Sequence, residues 1–163
     1  MASFLAAAHL DPFDLIGSLR TRLGLFKDDG GGTLVCPVRR PRDDGKFTIP
    51  PYAAAGKWAE LNNAIQRVRR LGDQMGGIDL GRIDLELLPA GACVDWRQGG
   101  EDEHAILMLR TSPAVTWFCG PEIMMPTTGL LVLVNRLAPR SAINMGDSAA
   151  IWLAIDFKRK AEP

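Results

Sequence analysis

The chain has 163 residues, 47% of them hydrophobic and 23% charged, which is ordinary for one globular domain and excludes wholesale disorder. Its 19 Lys and Arg residues balance 19 Asp and Glu residues, so no net charge directs it to nucleic acid or to an anionic membrane. No apolar run approaches the length of a membrane span, and Cys36, Cys93 and Cys119 have neither metal-ligand spacing nor an even number for a disulfide framework. We therefore expect a cytoplasmic protein with no nucleic-acid or membrane partner.

Two helices are predicted in the N-terminal half of the chain. Asp11 and Pro12 are typical of a helix start, and apolar residues then recur at three- and four-residue steps as far as Phe26. The helical period is clearer over residues 58–75, where an apolar stripe opposes a charged face and a glycine pair follows.

The segment between the helices predicts irregular structure and short strands. Residues 28–32 are a Gly-rich hairpin or loop, and residues 33–38 are a strand candidate. Residues 37–51 are polar and contain four prolines, which predicts a mobile segment or a flap. Within that segment, residues 47–49 are an edge-strand candidate.

From residue 83 onward the pattern changes to short apolar runs separated by turn residues about every 8–12 positions, which is typical of all-β sandwiches and barrels. The predicted strands are residues 83–88, 92–96, 105–110, 114–119, 130–134 and 151–157, with turns at 139–141 and 144–148. The sequence thus predicts a mainly β protein with N-terminal helices: a double-stranded β-helix, or cupin-like jelly roll, buttressed by two helices. We expect one domain over 1–163, with helical and loop support in 1–80, the β-helix core in 81–157 and a tail at 158–163.

Several short motifs in this core occur in a recognisable order. Residues 81–96 read GRIDLELLPAGACVDW, and they are followed by LRTSP at 109–113, SAINMGD at 141–147 and LAIDF at 153–157. Over roughly half its length the chain resembles the aspartyl/asparaginyl β-hydroxylase and cis-proline-hydroxylase branch of the 2-oxoglutarate- and iron-dependent oxygenases. The resemblance implies a double-stranded β-helix fold and a family whose active members act on amino-acid side chains, often within peptides.

The positions that would hold iron in this family carry other residues here. Arg97 stands at the place of the first metal His, Gly99 at that of the carboxylate and Arg140 at that of the second His. The arginine that would anchor 2-oxoglutarate falls near Ala149 or Ala150. A guanidinium group stays protonated and offers only donors, so it cannot ligate Fe(II). The resemblance therefore implies an oxygenase scaffold without its metal, and we expect no metal and no cofactor.

The same resemblance points to a candidate ligand site. Arg97 and Arg140 would face one another across the former metal pocket and clamp a carboxylate, such as a peptide C-terminus or an acidic side chain. The alternative is that each arginine pairs with an internal acid, Asp95 or Glu122 for instance, and only fills space. Three tryptophans on predicted core strands would either stack on a ligand or pack the core. The candidate ligand-binding residues are Arg97, Arg140, Trp96, Arg110, Trp117 and Trp152.

Other reactive side chains are weaker candidates. His104 follows an acidic loop and is a candidate general base, although a lone His without an orienting partner is more often structural or exposed. Cys93 and Cys119 lie on predicted strands, so we expect buried, inert thiols there and a more exposed thiol at Cys36.

These patterns favour a non-catalytic protein that binds a peptide or an acidic small molecule and presents a peptide to a modifying enzyme, for example in ribosomal-peptide natural-product biosynthesis. Strand addition near residues 33–38 or 47–49 is one route to peptide binding. One alternative is a divergent oxygenase or a metal-free enzyme acting on an amino acid or peptide, with His104, Asp95 or Glu122 as acid or base. Another is a structural or regulatory subunit. A homodimer would be usual for a small jelly roll, but no sequence feature marks a symmetric interface.

Overall fold

Two antiparallel sheets and two α-helices make up the described part of the chain, residues 4–54, 57–74, 76–99 and 103–160 of a computed structural model. The helices are α1 (Phe13–Leu19) and α2 (Ala59–Gln74). The strands are β1 (Phe4–His9), β2 (Lys27–Asp28), β3 (Leu34–Pro41), β4 (Phe47–Thr48), β5 (Ile78–Leu88), β6 (Glu103–Arg110), β7 (Val115–Cys119), β8 (Glu122–Met124), β9 (Leu130–Val134), β10 (Arg140–Asn144) and β11 (Ala150–Arg159).

The larger sheet has the strand order β1-β9-β6-β11-β5-β3-β2, and β4 pairs with β3. The smaller sheet has the order β10-β7-β8 and packs its inner face on the larger sheet through a shared apolar cluster. Two face-to-face antiparallel sheets with these long crossovers form a jelly roll, as the sequence predicts. None of the helices in the described ranges is long and apolar enough to cross a membrane.

The outer face of the larger sheet packs against both helices. Leu85, Leu153 and Leu107 are cross-strand partners on β5, β11 and β6, and all three are buried in the cluster that includes the apolar stripe of α2. Trp58, just before α2, is fully buried, and its indole Nε1 donates to Ser18 Oγ on α1 at 2.8 Å. This hydrogen bond joins the two helices, which lie on the sheet as one layer.

The first helix is shorter than predicted. It ends at Leu19, and only a 3₁₀ turn, Leu23–Leu25, follows before Phe26. The reason is local: the side chains of Thr21 and Arg22 both donate to the carbonyl oxygen of Ser18, so they take the place of continued helical bonds. The second helix is confirmed over Ala59–Gln74.

Two predicted features of the core are wrong. Residues 92–96 are not a regular strand, because only isolated bridges to β10 form, at Cys93 and Arg97. The Asp95 amide donates to the Gly31 carbonyl oxygen at 3.0 Å, in the β2–β3 loop, which interrupts the ladder. The turn predicted at 139–141 is instead the start of β10.

The remaining differences concern strands and thiols. The short strands β1, β8 and β10 were not predicted, and β11 extends two residues into the predicted tail. Cys93 is exposed and Cys36 is buried, so both expectations are wrong. Cys93 lies in the irregular segment 92–96, whereas Cys36 lies within β3. Cys119 is buried as expected. The β3–β4 pairing confirms an edge strand at Phe47–Thr48, and the mobility of residues 37–51 stays a prediction.

Leu85→Ala should lower the free energy of unfolding by about 2–5 kcal/mol, because removing buried methyl groups at the sheet–helix contact leaves a cavity. The matched control is Leu137→Ala, whose side chain is 72% exposed and whose loss should change stability by no more than about 0.5 kcal/mol. Urea unfolding followed by tryptophan fluorescence measures both variants. Equal effects would contradict this packing.

Candidate central cavity

The inner faces of the two sheets enclose a cavity with a volume of about 180 Å³. Along β5, β6 and β11, the inward-facing residues change from apolar at one end of the jelly roll to charged at the other. The lining residues are Arg82, Asp84, Glu86, Val94, Arg97, His104, Ile106, Trp117, Arg136, Arg140, Ser141, Ala142, Trp152, Ala154 and Asp156. The charged end is therefore the candidate site.

His104 and Asp156 are direct cross-strand partners on β6 and β11. His104 Nδ1 lies 2.7 Å from Asp156 Oδ1, and Arg136 Nη1 lies 3.3 Å from the same oxygen. Burial acts to raise the pKa of Asp156, but the hydrogen bond and charge of His104, with the charge of Arg136, hold that pKa below its ordinary value. Asp156 is therefore ionised at neutral pH, so Nδ1 is the protonated donor and the imidazole has an orienting partner.

Two further acids lie on the inner face of β5. Asp84 is 2% exposed and is paired with Arg82 and, at 2.9 Å, with Arg40. Glu86 accepts a hydrogen bond from Trp152 Nε1 at 2.9 Å, and no cationic side chain in the described ranges lies within salt-bridge distance of it. Burial raises the pKa of Glu86 above its ordinary value, against the opposing charges of His104 and Arg97. Glu86 thus favours its protonated form more than an exposed glutamate does.

Arg97 and Arg140 are opposed partners at the edge of the smaller sheet, joined by two backbone hydrogen bonds of 2.9 and 2.8 Å. Arg97 Nη2 pairs with Asp29 Oδ2 at 2.6 Å, so its internal acid is neither of the two suggested by the sequence. The β2–β3 loop can approach this closely because it is Gly-rich: a Cβ atom at Gly31 would meet the Arg97 guanidinium, and one at Gly32 would overlap the Cys93 carbonyl oxygen.

Arg140 differs from Arg97 in lacking an acid. Its Nη1 donates to the carbonyl oxygen of Arg136 at 3.1 Å, and no carboxylate in the described part of the chain lies within salt-bridge distance. Burial, followed by the nearby charge of Arg136, lowers the pKa of Arg140 below its ordinary value. The site thus holds a partly buried cation whose charge no acid offsets at contact distance.

Of the three candidate tryptophans, two line the cavity. Trp117 and Trp152 are buried and pack edge to face with their ring centroids 4.9 Å apart. Trp96 is 64% exposed and lies beside Phe118. Its segment bonds alternately to β10 and to the β2–β3 loop, so its side chain is not among those lining the cavity. Arg110 is also outside the cavity, exposed at the end of β6.

Sequence reasoning missed most of the charged groups of this site. Asp84, Glu86, Asp156 and Arg136 were not proposed, whereas the proposed acids Asp95 and Glu122 do not line the cavity. Glu122 accepts instead from the backbone amide of Phe4 at 3.1 Å. The available signal was a charge at every second position within apolar strands, as in IDLELL at 83–88, because such residues share the inner face.

The described residues do not fit an iron site of two histidines and one carboxylate. Within those ranges no group of three or more His, Cys, Asp or Glu side chains is placed to hold a metal ion. Arg97 and Arg140 line the cavity with groups that only donate hydrogen bonds. The Asp156 oxygen nearest to His104 already accepts from both His104 and Arg136.

No protein-family model matches the sequence, and no curated protein does. Among solved structures, the fold is similar to an oxidoreductase of the 2OG-Fe(II) oxygenase family from Burkholderia pseudomallei, with a TM-score of 0.72, 10% identity and coverage of 97% of this chain and 86% of that one. It is also similar to a Pseudomonas putida prolyl-4-hydroxylase, with a TM-score of 0.62, 17% identity and coverage of 98% and 94%. At these identities the likeness establishes the fold alone, and the predicted helix-buttressed jelly roll is confirmed.

Asp156→Asn should lower the free energy of unfolding at neutral pH by about 1.5–3 kcal/mol, the typical worth of a hydrogen bond to a charged group. Because the folded-state pKa of Asp156 lies below its unfolded value, this stabilisation is present above the unfolded pKa and is lost as the pH falls through the folded one. The stability difference from wild type should therefore shrink below about pH 4.

Urea unfolding over a series of pH values measures this difference. The control is Asp43→Asn, in the exposed turn between β3 and β4. A destabilisation of Asp156→Asn that stays constant on acidification would contradict the ion-pair account.

Proposed function

We propose that the protein binds a carboxylate-bearing ligand, either a peptide or an acidic small molecule, in the central cavity and does so without iron. The observation that carries this proposal is Arg140, a partly buried guanidinium with no carboxylate within salt-bridge distance in the described ranges. A buried charge of this kind is costly unless a counter-charge is supplied, and a ligand carboxylate would supply it.

Two unpaired donors in the same cavity support an acceptor-rich ligand. Trp117 Nε1 and Arg136 Nε are both buried, and neither has a hydrogen-bond acceptor among the described residues. Both side chains line the cavity together with Arg140. Because an unsatisfied buried donor costs free energy, a ligand that presents several oxygen atoms would be favoured over an apolar one.

The size of the cavity limits the ligand. Its volume of about 180 Å³ is below the range of roughly 300–1,000 Å³ typical of pockets for drug-sized molecules. A small acid fits, and so does the carboxylate end of a peptide whose remainder lies outside. For a peptide ligand, the proposal keeps the non-catalytic role expected from the sequence, which is presentation to a modifying enzyme.

Arg140→Gln should weaken carboxylate binding by about 10-fold or more, because it removes a charge-assisted hydrogen bond worth about 1.5–3 kcal/mol. Isothermal titration calorimetry at low ionic strength, with acetate, succinate and tetra-alanine as probes, measures the affinity. Tetra-alanine amidated at its C-terminus lacks the carboxylate, so its affinity for wild type should be no higher than for Arg140→Gln.

The matched control is Arg110→Gln, which removes an exposed arginine outside the cavity and should leave the affinities unchanged. Equal weakening in both variants, or none in Arg140→Gln, would contradict a carboxylate site at Arg140. Circular dichroism confirms that each variant is folded.

A further inference from the structure

Carboxylate binding by Arg140 does not account for one group of cavity residues. His104 is oriented by Asp156 at 2.7 Å, Glu86 has no cationic partner within salt-bridge distance in the described ranges, and both face the cavity that Arg140 lines. We propose that the cavity catalyses metal-free proton transfer on a small carboxylic acid that also carries a carbonyl group, with His104 as base and Glu86 as acid. This inference rests on the proposed carboxylate binding and replaces presentation by catalysis for such a ligand.

The base is His104. Asp156 accepts a hydrogen bond from the N–H group at Nδ1 of His104. The neutral imidazole then has its lone pair on Nε2. A carboxylate that holds the correct tautomer and offsets the charge of the protonated ring is the arrangement that general-base histidines use. Asp156 is here a positioning residue, and Arg136 Nη1 contacts the same carboxylate oxygen at 3.3 Å.

The acid is Glu86. Its Oε2 accepts a hydrogen bond from Trp152 Nε1, so in this proposal Oε1 is the oxygen that donates the proton to the ligand. Burial stabilises the neutral carboxylic acid, so Glu86 holds a proton at higher pH than an exposed glutamate. A buried carboxylic acid that keeps its proton beside a base is a recurrent feature of proton-transfer sites.

The step balances without an oxidant, a reductant or a metal. Arg140 binds the ligand carboxylate, and His104 Nε2 takes a proton from the carbon beside the carbonyl group. The C–H electron pair becomes the C=C bond of an enol, and the carbonyl oxygen receives the proton of Glu86. The proton on His104 then exchanges with solvent and both transfers reverse, so Glu86 recovers its proton. The acid is released with its C–H hydrogen replaced by one from solvent.

Proton NMR in D₂O tests this inference by following loss of the C–H signals beside the carbonyl group, with a chelator present to remove metal ions. The probes are pyruvate, acetoacetate and levulinate, which differ in the number of carbons between the two groups. At least one acid should exchange faster with wild-type protein than without it. His104→Gln and Glu86→Gln should each slow that exchange by about 10²–10⁴-fold, the usual contribution of general acid–base catalysis.

His9→Gln is the matched control, because His9 is exposed on β1 and outside the cavity lining, and it should leave the exchange rate unchanged. If an acid binds in an Arg140-dependent manner but every bound acid exchanges at the protein-free rate, the catalytic inference is overturned and the binding proposal stands. Exchange that persists in His104→Gln overturns the assignment of the base. Failure of every acid to bind overturns both proposals.

Discussion

Strand β11 determines which residues meet inside the molecule, because it hydrogen-bonds to β5 on one side and to β6 on the other. Its alternation sends Leu153 and Ile155 to the helix-covered face and Trp152 and Asp156 to the cavity. Cross-strand pairing then brings His104 to Asp156 and Glu86 to Trp152. A one-residue shift in the register of β11 would move each of its side chains to the opposite face and disrupt both the core and the site.

The charges inside the jelly roll are the basis of the proposed anion site. Among the described residues, four arginines and three acidic side chains line the cavity. Asp84 and Asp156 are paired with arginine or histidine, and Arg97 is offset by Asp29 from the β2–β3 loop. Glu86 favours its neutral form more than an exposed glutamate does. Arg140 is therefore the cation whose charge a ligand carboxylate would offset. A partly buried charge without a counter-charge costs folding free energy, which is why Arg140 is the basis of the binding proposal.

The fold could be predicted from the sequence where the apolar pattern is strong. The period of α2 and the Val-, Leu- and Ile-rich runs of β6, β9 and β11 each encode their own structure. Strand β10 was missed because its first residues, Arg140 and Ser141, follow a proline and are typical of a turn, and only their pairing with β7 makes them a strand.

The site was harder to predict than the fold. Arg97 and Arg140 were found through the family resemblance, but the acid that pairs with Arg97 lies 68 positions away in sequence. His104 has an orienting partner 52 positions away, so it was discounted as a lone histidine. Trp96 was misplaced because periodicity implied a regular strand, whereas its backbone bonds to two different segments. Each of these outcomes depends on tertiary pairing that no local pattern contains.

We propose that this jelly roll binds an organic anion directly and not through iron. The most direct test is anaerobic titration of chelator-treated protein with Fe(II) and 2-oxoglutarate, followed by bound metal content and visible absorbance. The account predicts no stoichiometric iron and no charge-transfer band. One bound iron per chain together with that band would contradict it, and would require metal ligands other than the side chains described in the cavity.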